Sequence, residues 1–329
     1  MILGTYTNGN YRVKIYDDGT KIRMTDDDHF SPSFAESMDM KVTDKCDGKC
    51  SFCYANAYPT GKSVDMQDER VLKFLDSIHP YTEVAINLND MSWNELPVFL
   101  KRLSDHKVIV NGTINIRHIT QPNRSTLMIW QDNGMIKGIG VSILTRQDLE
   151  VVPDILDSFD NAVFHVVCGL IDEEFINTII ADERFRKMKL LILGYKAIDG
   201  KGYTYFEDNK DRIIANTEAL RHNLAKLMDA VDVISFDNLA IDQLDIRSLV
   251  DIKTWERSYM GDEGEFTYYV DMVNGKFAPS STASNIFEFN VDDMTSTECF
   301  NKVREQYNKV KGASLNAKKI KGYSEKEAS

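Results

Sequence analysis

Long apolar runs are missing from this sequence of 329 residues. The longest, Met188 to Leu193 and Val163 to Val167, fall far short of the roughly 20 residues that cross a bilayer. The opening Met-Ile-Leu-Gly-Thr lacks a basic region leading into an apolar segment. Membrane insertion is therefore disfavoured, and a cytoplasmic protein is expected. Positive charge is also short: 39 Lys and Arg stand against 51 Asp and Glu, for a net charge of -12. Nonspecific polynucleotide binding needs clustered cations to neutralise phosphate, so that class is disfavoured, although a local basic groove is compatible with the composition. Cysteines number only five, an odd count with three inside eight residues, which makes a poor disulfide framework. Cys168 and Cys299 stand alone and read as small buried hydrophobes. No repeat at solenoid spacing is present.

What is there suits a globular chain, since 43% hydrophobic residues at this length can bury a substantial core. Tyr11 to Tyr16 and Thr20 to Met24 alternate polar with apolar residues about Asp17-Asp18-Gly19, which predicts an N-terminal β-hairpin. From about residue 37, β-rich runs alternate with helical periodicity, the pattern of parallel βα units. The predicted strands are Asp39–Thr43, Glu83–Leu88, Val108–Ile116, Ile136–Ile143, Ala162–Cys168, Lys189–Leu193 and Val231–Phe236. The predicted helices are Asp68–Ile78, Trp93–Ser104, Arg124–Asn133, Arg146–Phe159, Glu173–Ala181 and Lys210–Asp229. One helix per strand favours a barrel or an open doubly wound sheet. After residue 240 come a helix at Ile252–Tyr259, a hairpin of Glu265–Val273 with Lys276–Ala278, and a helix at Ser296–Lys311. The expected organisation is a hairpin appendage at 1–36, a βα body at 37–240, a C-terminal α+β extension at 241–311 and a mobile tail at 312–329.

The run Cys46-Asp-Gly-Lys-Cys50-Ser-Phe52-Cys53-Tyr54 falls in the loop after the first strand of the βα series. Three closely spaced thiolates can each reach a different iron of a cubane iron-sulfur cluster. The fourth iron then has no nearby protein ligand. An open coordination position is what a metal centre needs to activate a cosubstrate rather than only pass electrons. A structural zinc site is the bland alternative, but zinc wants a fourth Cys or His, and the nearest histidines, His29 and His79, lie outside knuckle spacing. A chance grouping of thiols in a reduced protein is the other alternative.

The spacing C-x3-C-x2-C, with an aromatic residue just before the third cysteine, resembles the radical S-adenosylmethionine (SAM) superfamily. Cys46, Cys50, Cys53 and Phe52 match that pattern in full. The resemblance implies an α/β fold, a partial (β/α)6 TIM-like barrel over about residues 37–240, with a [4Fe-4S] cluster at the C-terminal ends of its strands. It implies that SAM chelates the unique iron and that an electron from the cluster cleaves the sulfonium bond. The resulting 5'-deoxyadenosyl radical would abstract hydrogen from a substrate, and Phe52 would pack near the adenine.

The family's Gly-Gly-Glu-like segment at the end of the second strand is replaced here by Asn87-Leu88-Asn89-Asp90. By the same resemblance Asn87, Asn89 or Asp90 would offer oxygen acceptors to the SAM ammonium. Asn115 and Ser142 stand where the family contacts the SAM carboxylate and ribose, and Val167 or Leu170 where an apolar residue touches adenine. Taken singly, each also reads as an ordinary strand end. After the sixth strand, Gly194-Tyr195-Lys196-Ala-Ile-Asp199-Gly200-Lys201-Gly202-Tyr203 is a glycine-rich loop without the Lys-Ser/Thr ending of a P-loop. Tyr195 and Lys196 are its candidate substrate contacts. Asp237 either orients substrate or caps a helix.

The expected function is a radical SAM enzyme acting on a small molecule, a nucleotide or a peptide, supplied by an electron donor such as a flavodoxin or ferredoxin. No second cysteine cluster of the kind carried by auxiliary-cluster peptide maturases is present, which lowers that class without removing peptides. Phe266, Tyr268 and Tyr269 of the C-terminal hairpin would form part of a lid. The rival reading is a noncatalytic protein that keeps an iron-sulfur cluster for structure or sensing, consistent with the missing glycines.

Overall fold

Alternating polar and apolar residues build two sheets in the computed structural model, which describes residues 1–198, 200–283, 289–291 and 293–309. The first sheet is antiparallel, with β1 (Ile2–Asn8), β2 (Tyr11–Tyr16) and β3 (Lys21–Met24). The predicted hairpin is β2 and β3. A third strand joins them: β1, disguised in sequence by Gly4 and Gly9, pairs with β2 through a register shift between Ile2 and Gly4. Tyr6, Tyr11, Val13 and Ile15 pack with Ile109 and Phe266 of the main body. The buried Glu36 carboxylate adds a polar tie, held by Arg23 at 2.8 Å and Lys21 at 3.4 Å, while Lys21 also reaches Glu83 at 2.7 Å.

The second sheet begins with seven parallel strands, β4 (Ser37–Lys41), β5 (Glu83–Asn87), β6 (Ile109–Asn115), β7 (Gly138–Ser142), β8 (Ala162–Val167), β9 (Lys189–Leu193) and β10 (Val233–Phe236). All seven predicted strands are present. Each pairs with its neighbour in sequence, so the strand order has no switch point, and the sheet is not doubly wound. Beyond β4 the C-terminal extension adds β11 (Thr267–Asp271), parallel to β4, then the antiparallel β12 (Lys276–Ala278) and β13 (Phe289–Asn290). The sheet is open, with β10 and β13 at its edges. The C-terminal hairpin is therefore built into the sheet instead of lying over it as a lid. Tyr268 is buried against Phe300 and bonds Ser296, because the parallel pairing with β4 turns it into the core.

Helices follow the expected periodicity with differences set by proline and glycine. The stretch predicted as Arg146–Phe159 is two short helices, α4 (Arg146–Leu149) and α5 (Val152–Leu156), because Pro153 lacks the amide needed to continue one helix into the other. Pro97 and Pro122 occupy the first turns of α2 (Leu96–Asp105) and α3 (Gln121–Asp132). The helix predicted as Lys210–Asp229 starts earlier and runs over Lys201–Ala230, with a kink at Asn209. The end of the glycine-rich segment is thus helical. Gly202 sits there because a Cβ would meet Lys196 O at 2.7 Å. A last helix covers 296–309, and the tail expected from Gly312 lies outside the described residues. Among the described residues no helix is long and apolar enough to cross a membrane.

The two faces of the parallel sheet differ in chemistry. Met38, Val84, Ile114, Ile139, Phe164 and Ile192 point to the helices and are buried. On the opposite face the register aligns Asp39 with Ala85, Ala85 with Asn111, and Asn111 with Gly138; Ser142 aligns with His165 further along. This inner face is polar and remains accessible at Asp39, Asn111, Thr113, Ser142 and His165. Six ladder steps separate β4 from β10, about 29 Å along a flat sheet. Yet Asp39 on β4 feels the charges of Lys196, just after β9, and Asp237, just after β10. The sheet therefore curves until its first and last parallel strands face one another across a hollow.

Candidate cofactor loop and substrate hollow

The cysteine loop leaves the C-terminal end of β4 and is tied down from several strand ends. Cys46 N donates to Tyr58 O at 3.0 Å. The Lys45 ammonium pairs with Asp90 at 3.2 Å, beyond β5. After β6, His118 approaches Asp47 at 3.2 Å, and Arg117 Nη2 donates to Cys50 Sγ at 3.6 Å. After β9, the Lys196 ammonium lies 4.4 Å from the centre of the Tyr54 ring. At the start of the helix Lys201–Ala230, Lys201 N donates to Asn56 Oδ1 and its ammonium to Ala57 O, both at 2.9 Å. Phe52 meets Tyr205 edge to face. A loop that would otherwise be mobile is thus fixed above the hollow.

The thiols of Cys46, Cys50 and Cys53 are all free and half-buried. Gly48 N donates to Cys46 Sγ at 3.3 Å, and Cys50 Sγ donates to Gly48 O at 3.7 Å. A Cβ on Gly48 would sit 3.2 Å from Cys46 Sγ, so glycine keeps the space between these two sulfurs open. Burial holds the Cys46 thiol above its ordinary pKa; the Gly48 amide opposes this, and the neighbouring Cys50 and Cys53 charges add to it. Among the described residues, no three His, Cys, Asp or Glu side chains converge as ligands of a single metal ion. Cys168 and Cys299 are fully buried, and burial pushes both thiols up to about 12, as inert core residues.

The other expected contacts fall at the same end of the sheet but differ in what their side chains already do. Asn87 accepts from Val42 N at 2.9 Å and donates to Thr43 O at 2.8 Å, clamping the start of the cysteine loop. Asn89 is half-buried two residues on. Asn115 Oδ1 accepts from the backbone and Nε of Arg117, both at 3.1 Å, and so aims that guanidinium at Cys50. Ser142 ends β7 on the inner face, and Leu170 follows the turn after β8. Tyr195 is buried, its hydroxyl donating to Gly202 O at 2.8 Å, and burial pushes its pKa up to about 12. Lys196 donates to Ser281 Oγ at 2.9 Å as well as covering Tyr54. Asp237 Oδ1 accepts from Gly194 N at 2.8 Å and Ala240 N at 2.7 Å, so it caps α8 (Asn238–Gln243) while pinning the loop after β9.

Three residues not singled out in the sequence enter the site. Arg117 carried no local signal, because its reach to Cys50 depends on how the β6 end meets a loop 67 residues earlier. His165 did carry one, as the single polar residue of an apolar strand, whereas Asp39 lies on a strand that also holds Ser37 and Lys41 and carried none. His165 lies over Gly140, where a Cβ would come 2.4 Å from its Cε1 and 3.0 Å from Thr113 Oγ1. Burial pushes the His165 pKa down to about 4, leaving the imidazole neutral. Asp39 and His165 receive no hydrogen bond from any described residue.

No family profile matches this sequence, and no curated protein is significantly similar to it. In fold the chain is similar to SuiB of Streptococcus suis. Against SuiB bound to S-adenosylmethionine, identity is 12% and the TM-score 0.58, covering 83% of this chain and 68% of that one. Against SuiB bound to its precursor peptide SuiA, identity is 13% and the TM-score 0.55, covering 83% and 67%. Against SuiB alone, identity is 14% and the TM-score 0.51, covering 82% and 64%. The shared feature is the mixed α/β fold with a large, mostly parallel sheet, and the chain spans about two thirds of the SuiB length.

Proposed function

We propose that the chain is a radical SAM enzyme, with residues 37–240 forming a partial (β/α)6 barrel. The observation that carries this reading is the placement of Cys46, Cys50 and Cys53 on one anchored loop at the C-terminal end of β4, above the polar hollow. Three thiols spread along a loop suit a [4Fe-4S] cluster, with one iron each, better than a single zinc ion. A [4Fe-4S] cluster held by Cys46, Cys50 and Cys53 would, with SAM, supply the radical chemistry needed to remove a hydrogen atom from the substrate. The chain's own residues hold the reactants. Asn89, Asp90 and Ser142 offer oxygens around the loop, Arg117 places a positive charge beside Cys50, and Phe52 and Leu170 provide apolar contacts for the adenine. The inner face of the sheet takes the substrate away from bulk water. The fold shared with SuiB, solved with SAM and with a precursor peptide, favours a peptide among the three substrate classes. A flavodoxin or ferredoxin in the cytoplasm is the proposed electron donor.

One observation favours the noncatalytic reading. Asn87, standing where the family's glycines would be, has its amide bonded to the backbone of Val42 and Thr43, which leaves fewer acceptors for an ammonium. Anaerobic reconstitution separates the two readings. The enzyme should bind about four irons per chain, form 5'-deoxyadenosine from SAM under reduction, and lose the cluster in Cys50→Ala. A full cluster that never cleaves SAM would establish the noncatalytic alternative, and unchanged iron in Cys50→Ala would overturn the ligand assignment.

A further inference from the structure

A parallel strand covered on both faces is apolar along its length, and the inner face of this sheet departs from that rule across β6, β7 and β8. The register sets Asn111 beside Gly138, Thr113 beside Gly140, and Ser142 beside His165. These four polar side chains are half-buried, and none of them makes a side-chain hydrogen bond to a described residue. Asn87 and Asn115 on the same face differ, because both amides are already committed, one to the backbone of the cysteine loop and the other to Arg117.

The two glycines of β7 bring these groups together. His165 leans from β8 across Gly140, where a Cβ would lie 2.4 Å from the imidazole Cε1 and 2.7 Å from Nε2. Thr113 leans in from β6 on the other side, with its hydroxyl 3.0 Å from the same point. Two residues back along β7, a Cβ on Gly138 would lie 2.8 Å from Asn111 Oδ1. A methyl group at either position would displace the polar groups, so glycine is what lets side chains of both flanking strands converge over β7.

Their chemistry is uncharged. Burial pushes the His165 pKa down to about 4, so near neutral pH its ring offers one N–H and one lone pair. The Thr113 hydroxyl and the Asn111 amide likewise both donate and accept. A carboxamide carries its donor and its acceptor on separate atoms, so it can meet two of these groups at once, whereas a ketone lacks the donor and a hydroxyl has a single oxygen. The Asp39 carboxyl, across Ala85 from Asn111, disfavours an anion. Val163, two residues before His165, and Leu191, its partner on β9, offer apolar contact to the carbon skeleton that carries the amide.

We propose that the glycine track of β7 is a substrate subsite for a carboxamide, bound by His165 and Thr113 over Gly140 and by Asn111 over Gly138. Calling it a substrate subsite rests on the radical SAM reading; its affinity for an amide does not. His165 acts here as a specificity residue, selecting an amide among ligands of equal size, and takes no part in forming the radical. The amide belongs either to a side chain of the asparagine or glutamine type or to a peptide backbone.

The test is a ligand titration of the full-length, metal-free chain by nuclear magnetic resonance. Saturation-transfer spectra of the ligands give the affinities, and isotope-labelled histidine shows whether the His165 ring, identified by its absence in His165→Gln, is contacted. Valeramide carries a primary amide, as on a side chain, and its isomer N-propylacetamide a secondary amide, as in a backbone. Methyl butyl ketone, pentanol and valerate are the acceptor-only, hydroxyl and anionic controls. Both amides should move the His165 signal, and the tighter of them should bind at least about fivefold more tightly than any control. Thr113→Val and His165→Leu should each reduce that preference at least about threefold while leaving the ketone unchanged, and His165→Gln, which keeps a donor and an acceptor, should retain most of it. Tighter valeramide supports a side-chain source, and tighter N-propylacetamide a backbone source. A control that matches both amides in the unsubstituted protein, a comparison that needs no variant to fold, would overturn the proposal. So would a His165 signal unmoved by either amide, or a preference unchanged in both Thr113→Val and His165→Leu. Cluster reconstitution and SAM cleavage are measured separately on the unsubstituted protein, so loss of the radical reading and loss of the amide subsite are told apart.

Discussion

Arg117→Gln should make the cluster proposed at Cys46, Cys50 and Cys53 harder to reduce. The Arg117 guanidinium lies 3.6 Å from Cys50 Sγ and is held in that direction by Asn115, so it places a positive charge where a bound cluster gains its electron. A unit charge about 5 Å from that electron is worth about 1–3 kcal/mol for effective dielectrics between water and a protein surface. Arg117 is exposed, which selects the lower end of that range. At 59 mV for each tenfold change in a one-electron couple, about 1 kcal/mol corresponds to about 40 mV. The midpoint potential of Arg117→Gln should therefore fall by about 40 mV, and Arg117→Lys, which keeps the charge, should move it by less than half as much. Potentiometric titration followed by electron paramagnetic resonance on the reconstituted protein reads both values. A midpoint that stays in place or rises in Arg117→Gln would refute the assignment, and a shift that does not shrink at high salt would refute its electrostatic origin.

Two further outcomes follow from buried groups. Glu36→Ala leaves Arg23 without its carboxylate inside the contact between the N-terminal sheet and the body, while Lys21 keeps Glu83. Loss of one partner of a buried pair should cost about 3 kcal/mol in urea unfolding, and a loss under about 1 kcal/mol would mean that the pair is already solvated. At His165 the folded pKa, near 4, lies below the unfolded value of 6.5, so the unfolded chain takes up the proton first. Stability that is fully present above pH 6.5 should fall toward pH 4 with a contribution of up to about 1.4 kcal/mol per pH unit, and His165→Gln should flatten that limb. Parallel curves for the two proteins would show that the imidazole titrates normally.

Much of the βα body was legible because its signal is local. The strands Ala162–Val167 and Lys189–Leu193 are short, nearly continuous apolar runs, the mark of a parallel strand covered by helices, and their burial alternates along the chain. The cysteine spacing was equally plain. Less legible was β1, where glycines mask the alternation, and the split at Pro153, where one missing amide interrupts a good helical pattern. The role of β11 could not be read at all, because parallel pairing with β4 joins segments 230 residues apart.

The sequence by itself determined where thiols, strands and helices lie, since those depend on residue type and on spacings within a few turns of chain. Only the tertiary structure decided what surrounds the thiols: Arg117 at Cys50, His118 at Asp47 and Lys196 on Tyr54. It also decided that Asp39 lies within electrostatic reach of Asp237, because curvature of the sheet brings the first and last parallel strands toward one another. Charges so placed act through space and through the low dielectric of the hollow, and neither quantity has any counterpart in linear order.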